Sequence, residues 1–417
     1  MVKRIVLFLI ILFLIVGSVF AYKKYQPQKD DRKKINFWTI QLKPIYEKQI
    51  NSIITEFEKN HPDCKVVWVD IPIQEAQKRT LASILSSTPP DLVNLNPDFS
   101  QILAQKNALE YFGDSEVKNY HSALVEKLKY KGKIYALPFY ATSPVVIYNK
   151  KLFNKCVLNS IKTYDELFEK APKIKECSGI FPFVSNINEN DTLLKILNKY
   201  DVYSFNSEKE KQELISIYSK FNEMYKNNLM PKDALTINHR EVVEKYMSEQ
   251  TALIVAGSNF IKMIKQNALD VYNDSEISYQ LVGKNGKYDV SLMNLIIPKK
   301  SKNKILAREF AFMLTDEKNQ LELAKVANVL PTNKYALNNE YFKNCPSDIE
   351  QKSRCISAIQ LDKLINNNVQ YSDKKLLNET LNKTLEEILL NENSSLDLIK
   401  ARINNLFSHL NSIVVKN

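Results

Sequence analysis

The chain has 417 residues, 44% hydrophobic and 25% charged, enough for two domains or one large bilobed body. Lysine and arginine outnumber the acids 58 to 47, a formal charge of +11, but the signs alternate along the body, as in "SEKEKQE". That pattern excludes nucleic acid as a partner, which would need the cations on one face. With 7 glycines the chain has little material for a phosphate-cradling loop, and its four histidines are scattered, so neither a cofactor nor a metal is expected.

The N-terminus carries an address. "MVKR" is basic, the run Ile5 to Val16 is unbroken and apolar, and Val19 and Ala21 have the small-residue spacing of a cleavage site. Residues 1–21 therefore read as a signal peptide or, if uncleaved, a membrane anchor; the apolar run is at the short edge for a span. Residues 22–34 read as a flexible basic tether. The expected location is exported: periplasmic, or tethered to the outer face of the cytoplasmic membrane.

Strand and helix then alternate. "KINFWTIQL" is strand-like, Pro44 opens a helix with Ile50, Ile53, Ile54 and Phe57 at helical spacing, and "CKVVWVDIP" is the next strand. A second helix carries Leu81, Ile84 and Leu85, "PPDLVNLN" is a third strand, and Phe99, Ile102 and Leu103 mark the helix beyond it. This alternation predicts a parallel sheet covered by helices on both faces. The second half repeats the logic less cleanly. It has helical stripes at 214–225 and 242–247, a buried strand "TALIVAG", the strand-like "YDVSLMNLIIP", and one long helix "KILAREFAFMLTDEKNQLELAK". From about residue 345 the chain reads as helices alone.

Five cysteines are present. Cys64 begins a strand and reads as buried and inert, whereas Cys156 with Cys177 and Cys345 with Cys355 form two local pairs that could be disulfides in an exported protein. Sequence does not fix the connectivity. The stretch "KGKIYALPFYATSPVVIYNKKLF" is unusual in being apolar, tyrosine-rich and interrupted by Pro138 and Pro144, which cannot donate to a sheet ladder.

Four stretches, in order, resemble the extracellular solute-binding proteins of ABC importers, the large family 1 that contains the maltodextrin-binding proteins. They are "INFWTIQ" with its following helix; "ILSSTPPDLVNLNPDFSQILAQKNALEYF"; "KGKIYALPFYATSPVVIYNKKLFNK"; and the run from "YMSEQTALIVAGSNFIKMI" to "VLPTNKYAL". They span roughly residues 35–340. The resemblance implies an α/β, bilobed periplasmic-binding-protein-like fold (type II), two α/β lobes joined by crossing hinge segments, with a helical C-terminus. Lobe one would be 35–140 plus 288–328, and lobe two 145–285 plus 330–417. In this family the Pro138–Pro144 stretch is where the chain crosses between lobes. Pro138 would end strand pairing, Pro144 would set the turn, and Tyr140 would face the cleft. A return crossing is implied between about 257 and 290, and a third near "VLPTNKY".

The implied function is the substrate-binding component of an ABC transporter, not an enzyme. It would be a monomer that captures a small carbohydrate or polyol by hinge closure and delivers it to a membrane permease. Sugars offer apolar faces and hydroxyl edges, so the site needs flat aromatics with amides, hydroxyls and carboxylates. At the family-like positions, beyond strand ends where open α/β sheets place ligands, stand Trp38, Gln41, Asn96, Asp98, Tyr140, Ser143, Phe183, Asn186, Ser258, Asn259, Phe260 and Asn294. Ser258 and Asn259 could equally cap the helix that begins there. The family commonly has a tryptophan where this chain has Phe260, and glycines on the return strand where "DVSLMNLIIP" has none. With Trp38 and Trp68 as its two tryptophans the stacking surface is thin, so a monosaccharide, a small polyol or a phosphorylated polyol fits as well. Lys150, Lys151 and Arg240 read as solvated rather than as a phosphate site. Two alternatives stand beside this reading. One is a membrane-tethered interaction protein that has kept the fold and lost its ligand. The other is an exported glycoside-active enzyme, which would need two opposed carboxylates about 5–10 Å apart.

Overall fold

The computed structural model describes residues 32–417, apart from 190, 346–347, 366–368, 411–413 and 416–417. The signal or anchor and most of the tether lie outside these residues. The tether ends earlier than expected, because Lys33 and Lys34 already pair with Cys64 and Lys65.

The strands are β1 (Lys33–Ile40), β2 (Cys64–Ile71), β3 (Leu92–Leu95), β4 (Lys129–Tyr130), β5 (Lys133–Ile134), β6 (Leu137–Thr142), β7 (Val145–Asn149), β8 (Phe181–Phe183), β9 (Thr251–Ala256), β10 (Ser275–Tyr279), β11 (Ser291–Ile296), β12 (Leu330–Pro331), β13 (Gln370–Tyr371) and β14 (Val414–Val415). Two sheets form two α/β lobes. The first has the order β12-β6-β11-β3-β1-β2 and the second β10-β7-β9-β8. Side-chain alternation decides which face each residue serves. In β1, Ile35 and Phe37 enter one apolar cluster while Trp38 and Ile40 pack against another, so both faces of the first sheet are covered. In β7, Val145 and Ile147 face one cluster and Val146 the opposite one. The C-terminal helices Lys374–Leu389 and Leu396–Leu410 belong to lobe two, where Leu377, Leu381, Leu385 and Ile403 share a core with Leu214, Tyr218 and Phe221. The Tyr218 hydroxyl also donates to the Leu381 carbonyl at 2.9 Å.

Several expectations need correction. The first sheet is mixed, not parallel: β1, β2 and β3 run parallel, but β11 and β12 pair antiparallel with their neighbours. Pro138 does not end the pairing. It lies inside β6 opposite Asn294, where the register shifts between Met293 and Asn294, and the ladder continues to Thr142. A bulge at that point absorbs the donor that proline lacks. The long helix is two, Lys304–Leu314 and Glu317–Ala327. Asp316 is extended between them, and its carboxylate accepts from the Asn319 amide at 2.7 Å, capping the second. The third crossing falls later than residue 330, because β12 still pairs with β6 and Asn333 bridges Tyr120. The C-terminal region is not purely helical, since β13 and β14 pair.

Candidate functional site

The first two of the chain passages between the lobes are tied together by a buried polar network that a lobe-two helix completes. β6 ends at Thr142 and β7 begins at Val145, so Ser143 and Pro144 make the first passage. The Ser143 hydroxyl donates to the Asp289 carbonyl at 3.0 Å and accepts from the side-chain amides of Gln280 at 3.2 Å and Gln360 at 2.9 Å. Gln280 and Asp289 belong to the second passage. Gln360 ends the helix Ile349–Gln360, which packs on β10, and its side-chain Oε1 accepts from the Gln280 backbone amide at 2.7 Å. Ser357, on the same helix, donates to the Ser143 carbonyl at 2.8 Å and contacts the Ser258 hydroxyl at 3.1 Å. Ser143, Ser258, Gln280, Ser357 and Gln360 are all buried.

Beside this uncharged network lies a charged one. Lys374, at the start of the C-terminal helix of lobe two, reaches Asp98 of lobe one with Nζ–O distances of 2.8 and 3.0 Å, and Asp191 of lobe two at 3.1 Å. Asp191 also pairs with Lys195 at 3.0 Å. Buried Lys199 pairs with Asp289 at 3.1 Å and donates to the Gln280 side chain at 2.6 Å, linking the two networks. Burial alone would raise the Asp191 carboxyl, but Lys195 and Lys374 outweigh it and hold the group well below the usual carboxylate range. Burial alone would lower the Lys374 ammonium, but Asp98 and Asp191 hold it above the ordinary lysine value. On Lys127 burial prevails, and its pKa is lowered despite Asp289 and Asp98; Lys374 and Lys195 add to the lowering.

The twelve expected site residues divide between these regions and their surroundings. Ser143 and Ser258 belong to the buried network, and Asp98 to the charged one. Asn96 caps the helix Pro97–Gln105 by accepting from the Phe99 amide at 2.9 Å. Asn294, fully buried, donates to Ser100 of that helix at 2.7 Å. Trp38 is half-buried on the first sheet, with the Arg79 guanidinium 5.5 Å from its ring centroid. Gln41 is exposed just after β1 with φ of 53°. Tyr140 packs against Tyr46 in lobe one, ring centroids 6.1 Å apart, and burial pushes its hydroxyl pKa up. Phe183 is a core residue set edge-on against Tyr164. The Asn186 amide donates to Glu189 at 2.6 Å. Asn259 is exposed, Phe260 meets the His239 ring edge-on, and the side chain of Ser258 does not cap the helix Asn259–Asn267.

Sequence reading missed Lys127, Asp191, Lys199, Asp289 and Lys374. Lys374 stands next to Lys375 in "SDKKLLNE", and only folding separates them: their side chains are 29% and 82% exposed. Two other expectations can be placed. Arg240 lies on the surface, paired with Glu244 on its own helix at 3.0 Å, and Lys150 is exposed. The structure joins Cys156 to Cys177 and Cys345 to Cys355, with Cα separations of 5.6 and 5.4 Å, and leaves Cys64 buried and free. Among the described residues no three potential ligands are grouped as a metal site would require, and no helix is long and apolar enough to cross a membrane.

The arrangement of two α/β lobes with a polar interface has relatives. The chain is 23% identical to the galactooligosaccharide-binding protein of Bacillus subtilis over 284 residues, 65% of this chain and 66% of that protein. It is 29% identical to the maltotriose-binding protein of Pyrococcus abyssi over 144 residues, 34% of this chain and 30% of that one. These matches thus span less than two-thirds of either relative. A periplasmic-binding protein from Synechococcus sp. MITs9220 superimposes with a TM-score of 0.77 at 25% identity, covering 91% of this chain and 99% of the other. The GacH receptor of Streptomyces glaucescens, whose structure is known with acarbose, shares the fold with a TM-score of 0.71 at 18% identity, over 91% of this chain and 99% of that one. The sequence profile of the bacterial extracellular solute-binding proteins matches residues 44–321, and with that match and this fold the chain belongs to that family.

Proposed function

We propose that this protein is the substrate-binding component of a carbohydrate ABC importer, taking a small sugar or polyol between its lobes and presenting the closed form to a membrane permease. The observation that carries the reading is Lys374, one side chain bonded to a carboxylate of each lobe. An interface of hydrated, exchangeable polar groups can part and re-form, whereas an apolar one of the same extent would hold the lobes shut. The three passages act as hinges, which absorb dihedral change at a few residues. Closure removes water and strengthens every polar contact inside. The named relatives are binding proteins rather than enzymes, and their sugars are the motive for choosing carbohydrate as the ligand class.

A thermal-shift series with monosaccharides, disaccharides and polyols tests this. A ligand that binds only the folded state raises the melting temperature by an amount set by its concentration over its Kd. A shift confined to one sugar class is the expected result. No shift with any of them, from protein shown to be folded, would reject the carbohydrate reading.

A further inference from the structure

One cation at the lobe interface lacks the partner that its neighbours have. Lys374, Lys195 and Lys199 each sit within ion-pair distance of an aspartate. Lys127, half-buried on the lobe-one side of the same charged group, has no carboxylate within that distance among the described residues. Its Nζ donates to one acceptor there, the Ile365 carbonyl at 3.0 Å. An ammonium carries three N–H donors, and on this side chain burial outweighs the pull of Asp289 and Asp98, so a further anion beside it would favour its charged form. Lys127 also lines a small pocket with Pro97, Ser100, Gln101, Tyr130 and Tyr135. There the two tyrosine rings lie tilted with centroids 6.4 Å apart. The lining combines aromatic surface, the Gln101 amide, Lys127 and a second cation, Lys129, which is paired with Glu126, just beyond the end of β3; the Ser100 hydroxyl there is already engaged by Asn96 and Asn294.

We propose that the ligand is an acidic sugar, a monosaccharide or short oligosaccharide bearing a carboxylate or phosphate group. The anionic group takes the remaining donors of Lys127, and the ring lies against Tyr130 and Tyr135. This rests on the carbohydrate reading above and narrows it. A neutral hydroxyl could accept from Lys127 but would leave its charge uncompensated once the cleft closes. A carboxylate or phosphate supplies acceptor and charge together. The nearby aspartates, Asp98 and Asp289, act on Lys127 only at longer range, since they lie beyond ion-pair distance of it.

The test measures binding by calorimetry and thermal shift for glucuronate, galacturonate and glucose 6-phosphate, each beside its neutral parent sugar. It uses the native protein and the Lys127→Met and Lys127→Arg variants, with circular dichroism confirming the fold. We expect an acidic sugar to bind and its neutral parent to bind much more weakly. Lys127→Met should weaken the acidic ligand by about 10- to 100-fold, the usual range for a hydrogen bond to a charged group, and Lys127→Arg should restore most of that loss. Uronate against sugar phosphate identifies the anion. Neutral sugars binding as tightly as acidic ones, or acidic binding unchanged in Lys127→Met, would overturn the proposal while leaving the carbohydrate reading in place. Failure of every sugar, neutral and acidic, to bind folded native protein would overturn both. If Lys127→Met does not fold, the acidic-to-neutral ratio on the native protein still decides.

Discussion

Two polar regions hold the lobes together, and they are built on opposite principles. Around Ser143 the groups are uncharged, buried, and bonded to several partners at once, drawn from the first two chain passages and the helix Ile349–Gln360. Around Lys374 the groups are ionised and partly wet; the Asp98 side chain is 52% exposed. The first region cannot lose a partner without stranding another in a dry place, so it fixes how the passages meet. The second can exchange a protein partner for water or ligand at little cost, because exposed ion pairs contribute little. The pivot and the closing surface are thus chemically distinct, and each can be disturbed alone.

The largest effect should come from the pivot. Gln360→Leu strands the Gln280 amide and removes a bond each from Ser143 and the Pro144 carbonyl. Each buried group left unsatisfied costs about 1–3 kcal/mol, so the variant should lose about 3 kcal/mol in urea unfolding. A loss below ~1 kcal/mol would mean that the network is incidental. Acid tests the charged region next. The Asp191 carboxyl has a depressed pKa in the folded state, so the stability it contributes is present above the ordinary carboxylate value and fades as pH falls below about 4. Melting temperatures from pH 6 downward should show this decline, and Lys374→Met should flatten it. Equal acid slopes in the two proteins would contradict the assignment. The smallest effect on stability should be that of Asp98→Asn, within about 1 kcal/mol of native. Its effect on shape should be larger. Without the cross-lobe ion pair, the ligand-free protein should show a greater radius of gyration by X-ray scattering, and high salt should open the native protein in the same direction. Identical scattering curves would show that Lys374 does not bias the lobes.

Much of the fold was legible because periodicity is a local property. Ile50, Ile53, Ile54 and Phe57 declare one face of a helix wherever they occur, and they are buried together in the structure. The break at Thr315 and Asp316 was hidden, since both fit a helical stripe; what decides there is the buried contact of Thr315 with the Tyr120 hydroxyl at 2.6 Å and the Asp316 cap. Pro138 misled for a related reason. Proline does signal a missing donor, but only the register of β11 tells whether the ladder ends or bulges.

The sequence by itself determined the alternating α/β order and, through its resemblance, the two-lobed fold and the family, because each rests on short runs whose pattern survives without knowledge of neighbours. It could not determine the polar interface. Lys127, Lys199 and Lys374 look in sequence like any of the chain's many lysines, and Asp191 and Asp289 like ordinary loop acids. Their roles arise from approaches such as that of residue 98 to residue 374, which only the packing of the lobes brings about. A charge acquires meaning from burial and from its nearest opposite charge, and both are set by the tertiary fold.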